Sequence, residues 1–319
     1  MENSTGTTLQ EFVLLGFQFD PQKQFIFLIF FAILYVLTLV ENIAIIILVL
    51  IDAHLSQLPM YILLSNFSWV EMCYVTATVP RMLYDLASSC GVISFQVCLF
   101  QFYILFSLGS TEFFFLSAMA LDRYLAICHP LHYSQIMSPK SCYLLVAICW
   151  ILGFLGYIVP VTLISKLNFC GPNIIDHFLC DPGPILSLAC PPLGNVPFIC
   201  QIVMHAIFFS NVIFVVVSYG IVIFTLLKSS NQGSLKKAFS TISMHLLVVT
   251  LFYGSVGGMY LIPGGESQAE LTKAITVFYT AITPFVNPLI YSLRNDQVKK
   301  ALCRLLRRNM RLIFMRATV

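Results

Sequence analysis

Glu41, Glu71 and Glu112 stand inside the most apolar stretches of this chain. A carboxylate in hydrocarbon is costly unless it faces an interior, finds a partner or takes a proton, and such residues mark ion paths, relays and switches. Glu71 and Glu112 together can hold a cation or share a proton. Glu41 beside Asn42 is the weaker case, and a neutral acid serves there. One more acid, Asp122, adjoins a base, Arg123, at the end of another apolar run, "MALDRYLAICHPLHY" (119–133). A structural ion pair, a catalytic dyad and a switch would all look alike at this range. The histidines offer less. His54, His129, His132, His177, His205 and His245 are scattered, with no i, i+4 metal-ligand spacing. His129 and His132 flank Pro130 but lack a third ligand.

These groups need elements to carry them. The chain has 319 residues, 59% hydrophobic and 10% charged, against about 25% charged in a soluble domain. Seven apolar runs approach or exceed the roughly 20 residues that span a bilayer as helix: 25–50, 58–80, 98–127, 142–165, 197–227, 238–262 and 271–293. They do not alternate in polarity as membrane strands do, and in hydrocarbon a continuous helix satisfies its own backbone. The fourth, fifth and sixth runs contain no Asp, Glu, Lys or Arg. The fold expected is an all-α integral membrane protein, a seven-transmembrane helix bundle with a short amphipathic C-terminal helix. Residues 1–24 form an outer N-terminus, 25–293 the bundle and 294–319 an inner helix and tail. The first 24 residues lack a basic-then-apolar leader pattern, so the first helix is expected to act as the insertion signal.

Charge sets the orientation. Of 17 Lys and Arg, 13 fall on one side of the seven runs; Lys23, Arg81, Lys166 and Lys273 make up the other 4. The rich side is cytoplasmic by the positive-inside rule, which puts the N-terminus outside. The sequon at Asn3 then lies where glycosylation occurs, whereas the one at Asn66 falls inside the second run. Cys98, Cys170, Cys180 and Cys190 fall on the oxidising side, and four cysteines allow three pairings.

Depth sharpens the acids. Glu71 is 13 residues past Leu58 and Glu112 is 14 past Cys98. Each is roughly 20 Å from the face where its helix starts, so the two sit at similar depth. Arg123 lies 11 residues beyond Glu112, at the inner edge. Asp122 can neutralise it at rest, and the guanidinium fork can change partners cheaply, which suits a bistable element. Pro288, after Asn287, removes a backbone bond and bends the last helix. Past Arg294, Val298, Ala301, Leu302, Leu305 and Leu306 form a helical apolar stripe among Lys and Arg. That pattern reads as an interfacial helix on anionic membrane lipids, with Cys303 a candidate for acylation.

The motifs carry a resemblance. "PMYILLSNFSWVEMCYVTATVPRML" (59–83), "MALDRYLAICHPLHY" (119–133), "KAFSTISMHLLVV" (237–249), "LFYGS" (251–255) and "PFVNPLIYSLRNDQVKKAL" (284–302) stand in order along the chain. Together they resemble the vertebrate odorant receptors, a branch of the rhodopsin-like G-protein-coupled receptors, over about residues 9–308. Leu121, Ile242, Met244 and Glu41 depart from the family's usual Tyr, Cys, Ser and Gly. The resemblance implies pairing of Cys98 with Cys180 and Cys170 with Cys190. It implies a switch of Asp122, Arg123, Tyr124, Tyr219, Asn287, Pro288 and Tyr291 that meets a G protein of the stimulatory class. It surrounds a possible sodium ion with Asn42, Glu71, Glu112 and Asn287, and implies no other cofactor. The family's pocket positions are here Phe106, Gly109, Ser110, Val203, Ile207, Tyr253, Val256, Gly257, Tyr260 and Thr280. None is ionised, which points to a small, neutral, largely apolar odorant. Plasma-membrane location and a rise in cyclic AMP follow from the same resemblance; nucleic acid is not among the partners. A transporter would use the buried acids in a substrate path and show repeats or broken helices, and no repeat is visible. A membrane enzyme would need a nucleophile or metal cluster facing a cavity.

Overall fold

The computed structural model describes the backbone of residues 10–88, 91–228, 232–261, 269–294 and 297–305, and the side chains among them apart from 232–241, 260–261, 269 and 292–294. Asn3, the side chain of Tyr260, and Leu306 of the C-terminal stripe lie outside the described residues.

Helices build nearly all of it: α1 (Pro21–Ile51), α2 (Pro59–Ser88), α3 (Phe95–Cys128), α4 (Pro130–Ile136), α5 (Pro139–Gly156), α6 (Ile158–Ile164), α7 (Pro182–Ser187), α8 (Val196–Lys228), α9 (Gln232–Leu261), α10 (Ala269–Val277) and α11 (Thr283–Arg294). A further helix, α12, covers 297–305. Local caps set several starts outside the apolar runs. Asp20 accepts the Lys23 N–H at 2.9 Å ahead of Pro21, and Ser138 accepts the Ser141 N–H at 3.2 Å ahead of Pro139. Helices therefore begin at 21 and 139 rather than 25 and 142.

Six of the long helical spans carry an 18-residue stretch apolar enough to cross a membrane. α2 is 30 residues long but mixes in Ser65, Asn66, Ser68, Glu71, Thr76 and Thr78. Ser68, Glu71 and Thr78 are buried, so α2 gives up apolar character to supply the bundle interior. Two spans are not continuous α-helix. The fourth breaks at Tyr157 between α5 and α6, where Pro160 withholds a backbone donor. The seventh contains a π-helical turn, Phe278–Ile282, between α10 and α11. The Thr283 N–H bonds the Phe278 carbonyl there, one residue wider than an α-turn.

The outer end holds a small sheet that an all-helix reading leaves out. β1 (Glu11–Leu14) pairs antiparallel with β2 (Val92–Ser94) and parallel with β3 (Ile174–Ile175). Alternation buries Phe12 and Leu14, seating them in a second core with Ile93, Phe102, Phe169 and Ile185. Gly91 makes this possible: a methyl there would stand 1.8 Å from the Leu14 carbonyl oxygen. Disulfides join Cys98 to Cys180 and Cys170 to Cys190, the pairs the resemblance implies. The main core runs through the bundle between α1, α2, α3, α5, α8, α9 and α11.

Candidate ligand pocket and switch

A cavity of about 280 Å³ lies beneath the outer loop, near the small end of ligand sites. One face of α3 supplies Phe102, Phe106, Gly109, Ser110 and Phe113 at helical spacing. Tyr74, Tyr157, Cys200, Met204, Phe252, Val256, Met259, Thr276 and Tyr279 close the sides. The floor is aromatic: the Phe113 ring lies 4.9 Å from Phe252, 5.1 Å from Tyr253 and 5.8 Å from Phe208. Directly below, Ser117 of α3 donates to Asn211 Oδ1 of α8 at 2.6 Å.

The roof is polar and committed. His177 Nδ1 accepts the Leu179 N–H at 3.1 Å, so a neutral ring carries its proton on Nε2, which faces Thr276 Oγ1 at 3.4 Å. Burial pushes the His177 ring below its ordinary pKa; Asp181 opposes that and Lys273 adds to it. Asp181 accepts the Gly183 N–H at 2.9 Å and caps α7. Lys273 bonds Asp176 at 2.7 Å and Glu270 at 2.8 Å.

Midway down, Asn287 Nδ2 donates to Glu71 Oε1 at 2.5 Å, tying α11 to α2. Glu71 Oε2, Glu112 Oε1, Asn42 Oδ1 and Asn287 Oδ1 are buried without a hydrogen-bond partner, and the two carboxylates interact electrostatically. Among the described residues, no group of three or more His, Cys, Asp or Glu is placed to hold a metal.

At the inner end Asp122 is fully buried. Arg123 Nε donates to its Oδ2 at 2.8 Å, and a second guanidinium nitrogen reaches the same oxygen. Tyr133 of α4 donates to Oδ1 at 2.7 Å. Tyr219 of α8 is hydrogen-bonded to His245 Nδ1 of α9. The Tyr291 hydroxyl and His245 Nε2 are buried and unpartnered.

Residues 31–309 match the model of the family described as olfactory receptor. The chain belongs to the olfactory receptor family. Olfactory receptor 11H6 of Homo sapiens is 50% identical over 305 residues, covering 96% of this chain and 92% of that protein. Olfactory receptor 11G2 of Homo sapiens is 47% identical over 94% of this chain and 86% of that protein. Squid rhodopsin superposes with a TM-score of 0.72 at 16% identity, over 90% of this chain and 86% of that one, which bears on the fold: a seven-helix, rhodopsin-like bundle.

Of the receptor's expected pocket residues, Phe106, Gly109, Ser110 and Val256 line the cavity. Val203, Ile207, Tyr253, Gly257 and Thr280 are not in its wall. Tyr253 packs under the floor with Phe113. Ile207 faces α5, where a methyl on Gly156 would stand 3.0 Å from its Cδ1. Gly257 backs onto Phe208, and Thr280 bonds back to the Thr276 carbonyl at 2.7 Å, inside the π-helical turn that no sequence signal announces. A carboxyl outside the ten expected positions also lines the wall, that of Asp181. Its role as a helix cap ties one oxygen locally and sets its charge against a helix N-terminus. Phe102 and Phe113 were reachable by stepping along α3 from Phe106 and Gly109. His177 and Asp181 were not, because only the tertiary fold carries the loop over the pocket. His245, one of the scattered histidines of the sequence, is the partner of Tyr219. In α12, Val298 and Ala301 are buried while Leu302 is 48% exposed, and Arg304 fastens the helix to Asp52 at 2.7 Å.

Proposed function

We propose that the receptor binds a small, neutral, largely apolar volatile molecule in this cavity and activates a stimulatory G protein, raising cyclic AMP. The observation that carries the reading is one helix, α3, that lines the pocket at Phe102–Phe113 and ends in the buried Asp122–Arg123 pair. A ligand pressing on Phe113 moves the floor shared with Phe208, Phe252 and Tyr253, and so shifts α8 and α9 against α3. The Tyr219–His245 bond that joins α8 to α9 then has to change, and Arg123 can leave Asp122 for a G-protein tail. Ser110, Tyr74, Thr276 and His177 supply hydroxyls or an N–H for one polar group on the ligand. The N-terminus lies outside and the C-terminus inside the plasma membrane, with α12 on the inner leaflet lipids.

The orphaned oxygens of Glu71, Glu112, Asn42 and Asn287 fit a sodium ion, a hard cation that takes oxygen ligands; a shared proton is the other way to quiet the two acids. These residues would hold the ion and tie α1, α2, α3 and α11 together at rest.

The test is a broad odorant screen in cells displaying the chain with a stimulatory G protein. A volatile apolar molecule is expected to raise cyclic AMP, and Arg123→Ala to abolish the response at unchanged surface level. Odorant-independent cation uptake in those cells would sink the reading.

A further inference from the structure

Asp176, His177, Phe178 and Leu179 separate two cavities. His177 and Leu179 stand in the wall of the main pocket. Phe178 stands in the wall of a second cavity, about 210 Å³, under the N-terminal segment, with Phe17, Met82 and Asp85. The backbone bends through 176–179 and delivers His177 and Leu179 to one cavity and Phe178 to the other, so a single stretch of chain lines both. Phe17 stacks on Phe178 at 5.1 Å, and Phe178 on His177 at 4.8 Å. The second cavity is mixed in character, and its carboxylate, Asp85, is paired with Arg81 at 2.9 Å.

The partition's fastenings differ in kind. Cys180 at one end is bonded to Cys98 of α3, and Ile174–Ile175 at the other belong to the sheet. Between them the ties to α10 are the Asp176–Lys273 ion pair at 2.7 Å and the long His177–Thr276 contact at 3.4 Å. The Lys273 side chain is 1% exposed, while those of Asp176 and Glu270 are 52% and 68% exposed. Stripping a buried charge of its partner is strongly unfavourable. Here Glu270 sits three residues before Lys273 on the same helix and stays when Asp176 leaves. The freed Asp176 is already half in water. Release therefore strands no charge, as a catch requires.

The geometry points to a vestibule: the second cavity is a transient site for the same small neutral molecules, and the Asp176–Lys273 pair is the catch whose release joins it to the main pocket. This inference rests on the main pocket being the ligand site, but its test needs no odorant. Cys200, in the wall of the main pocket, is a native reporter. Purified receptor in lipid nanodiscs is treated with iodoacetamide, and alkylation of Cys200 is followed by mass spectrometry. Asp176→Asn is expected to speed it roughly two- to fivefold, the weight of a half-exposed ion pair. Salt, which shortens the screening length, should speed the wild type and leave Asp176→Asn unmoved. Leu15→Trp, which fills the second cavity, should cancel the gain of Asp176→Asn. Equal rates in wild type and Asp176→Asn, or a wild type indifferent to salt, overturn the catch. A gain that survives Leu15→Trp overturns the vestibule. The wild-type salt series decides even where a variant fails to fold. Because no odorant or G protein enters, a receptor silent in the odorant screen and a catch that does not gate give different results.

Discussion

Asp122 is held in place by two partners of different reach. Arg123 adjoins it and is released on activation in the proposed cycle; Tyr133 approaches from α4 and has no reason to leave. Tyr133→Phe removes a hydrogen bond to a fully buried carboxylate, an interaction worth roughly 1.5–3 kcal/mol. The resting arrangement should weaken accordingly, and ligand-free cyclic AMP should rise severalfold at matched surface level; unchanged basal signal would remove Tyr133 from the lock. Arg123 was legible in the sequence because an acid–base pair ending an apolar run is rare. Tyr133 was not, since only the turn at His129 and Pro130 folds it back. His177 gives a pH prediction with a definite sign. Burial, the largest influence, lowers its pKa in the folded state below the ordinary value of 6.5. Above about 6.5 the ring is neutral folded or unfolded and its contribution is complete. As pH falls through that value the unfolded chain takes a proton the folded roof resists, so stability is lost. Between about pH 7.5 and about pH 5.5, the wild-type melting temperature should drop further than that of His177→Gln.

At the scale of elements, apolar length was enough to find seven helices, and capping residues explain where starts at 21 and 139 moved outward. What length could not reveal is how closely helices approach. Gly153 of α5 faces α3, where a methyl would stand 2.0 Å from Thr111 Oγ1, 2.9 Å from its nitrogen and 3.0 Å from the Ser107 carbonyl oxygen. Two of those atoms are backbone and cannot swing aside. Gly153→Ala should therefore force α5 off α3, at the roughly 1–3 kcal/mol typical of overpacking. Lower surface display and a lower melting temperature should report it, while Gly220→Ala, with open space around it, should leave both nearly unchanged apart from any small gain in helix propensity. The sheet at the outer end was illegible for a related reason. Glu11–Leu14 alternates over only four residues, too short to stand out, and its partners lie about 80 and 160 positions away. Pairing at that range is decided by the disulfide-tethered loop and by Gly91.

For the whole molecule, the pocket and the Asp122–Arg123 pair lie at opposite ends of α3, so the proposed function depends on which end faces outward. The charge count argues the direction. Thirteen of 17 Lys and Arg fall on the side of Arg123, and both disulfides lie at the other end. Thiols oxidise outside the cytosol, and basic loops stay within it; two unrelated forces thus support the proposed orientation. The described fold adds a mechanical reason. β1 binds residues 11–14 to β2 and to β3, beside the disulfide-bonded loop, so this strand lies on the same side as the pocket roof. An epitope tag placed before residue 9 should bind antibody on intact cells, and one placed after residue 319 only once the membrane is permeabilised. The opposite pattern would put the pocket on the cytosolic side and remove the basis for odorant detection from outside. Equal labelling of both tags on intact cells would mean mixed insertion. Reversing the balance by adding Lys to the outer loops while neutralising Lys299, Lys300 and Arg304 should then raise the inverted fraction, because those charges, rather than the apolar runs, carry the orientation.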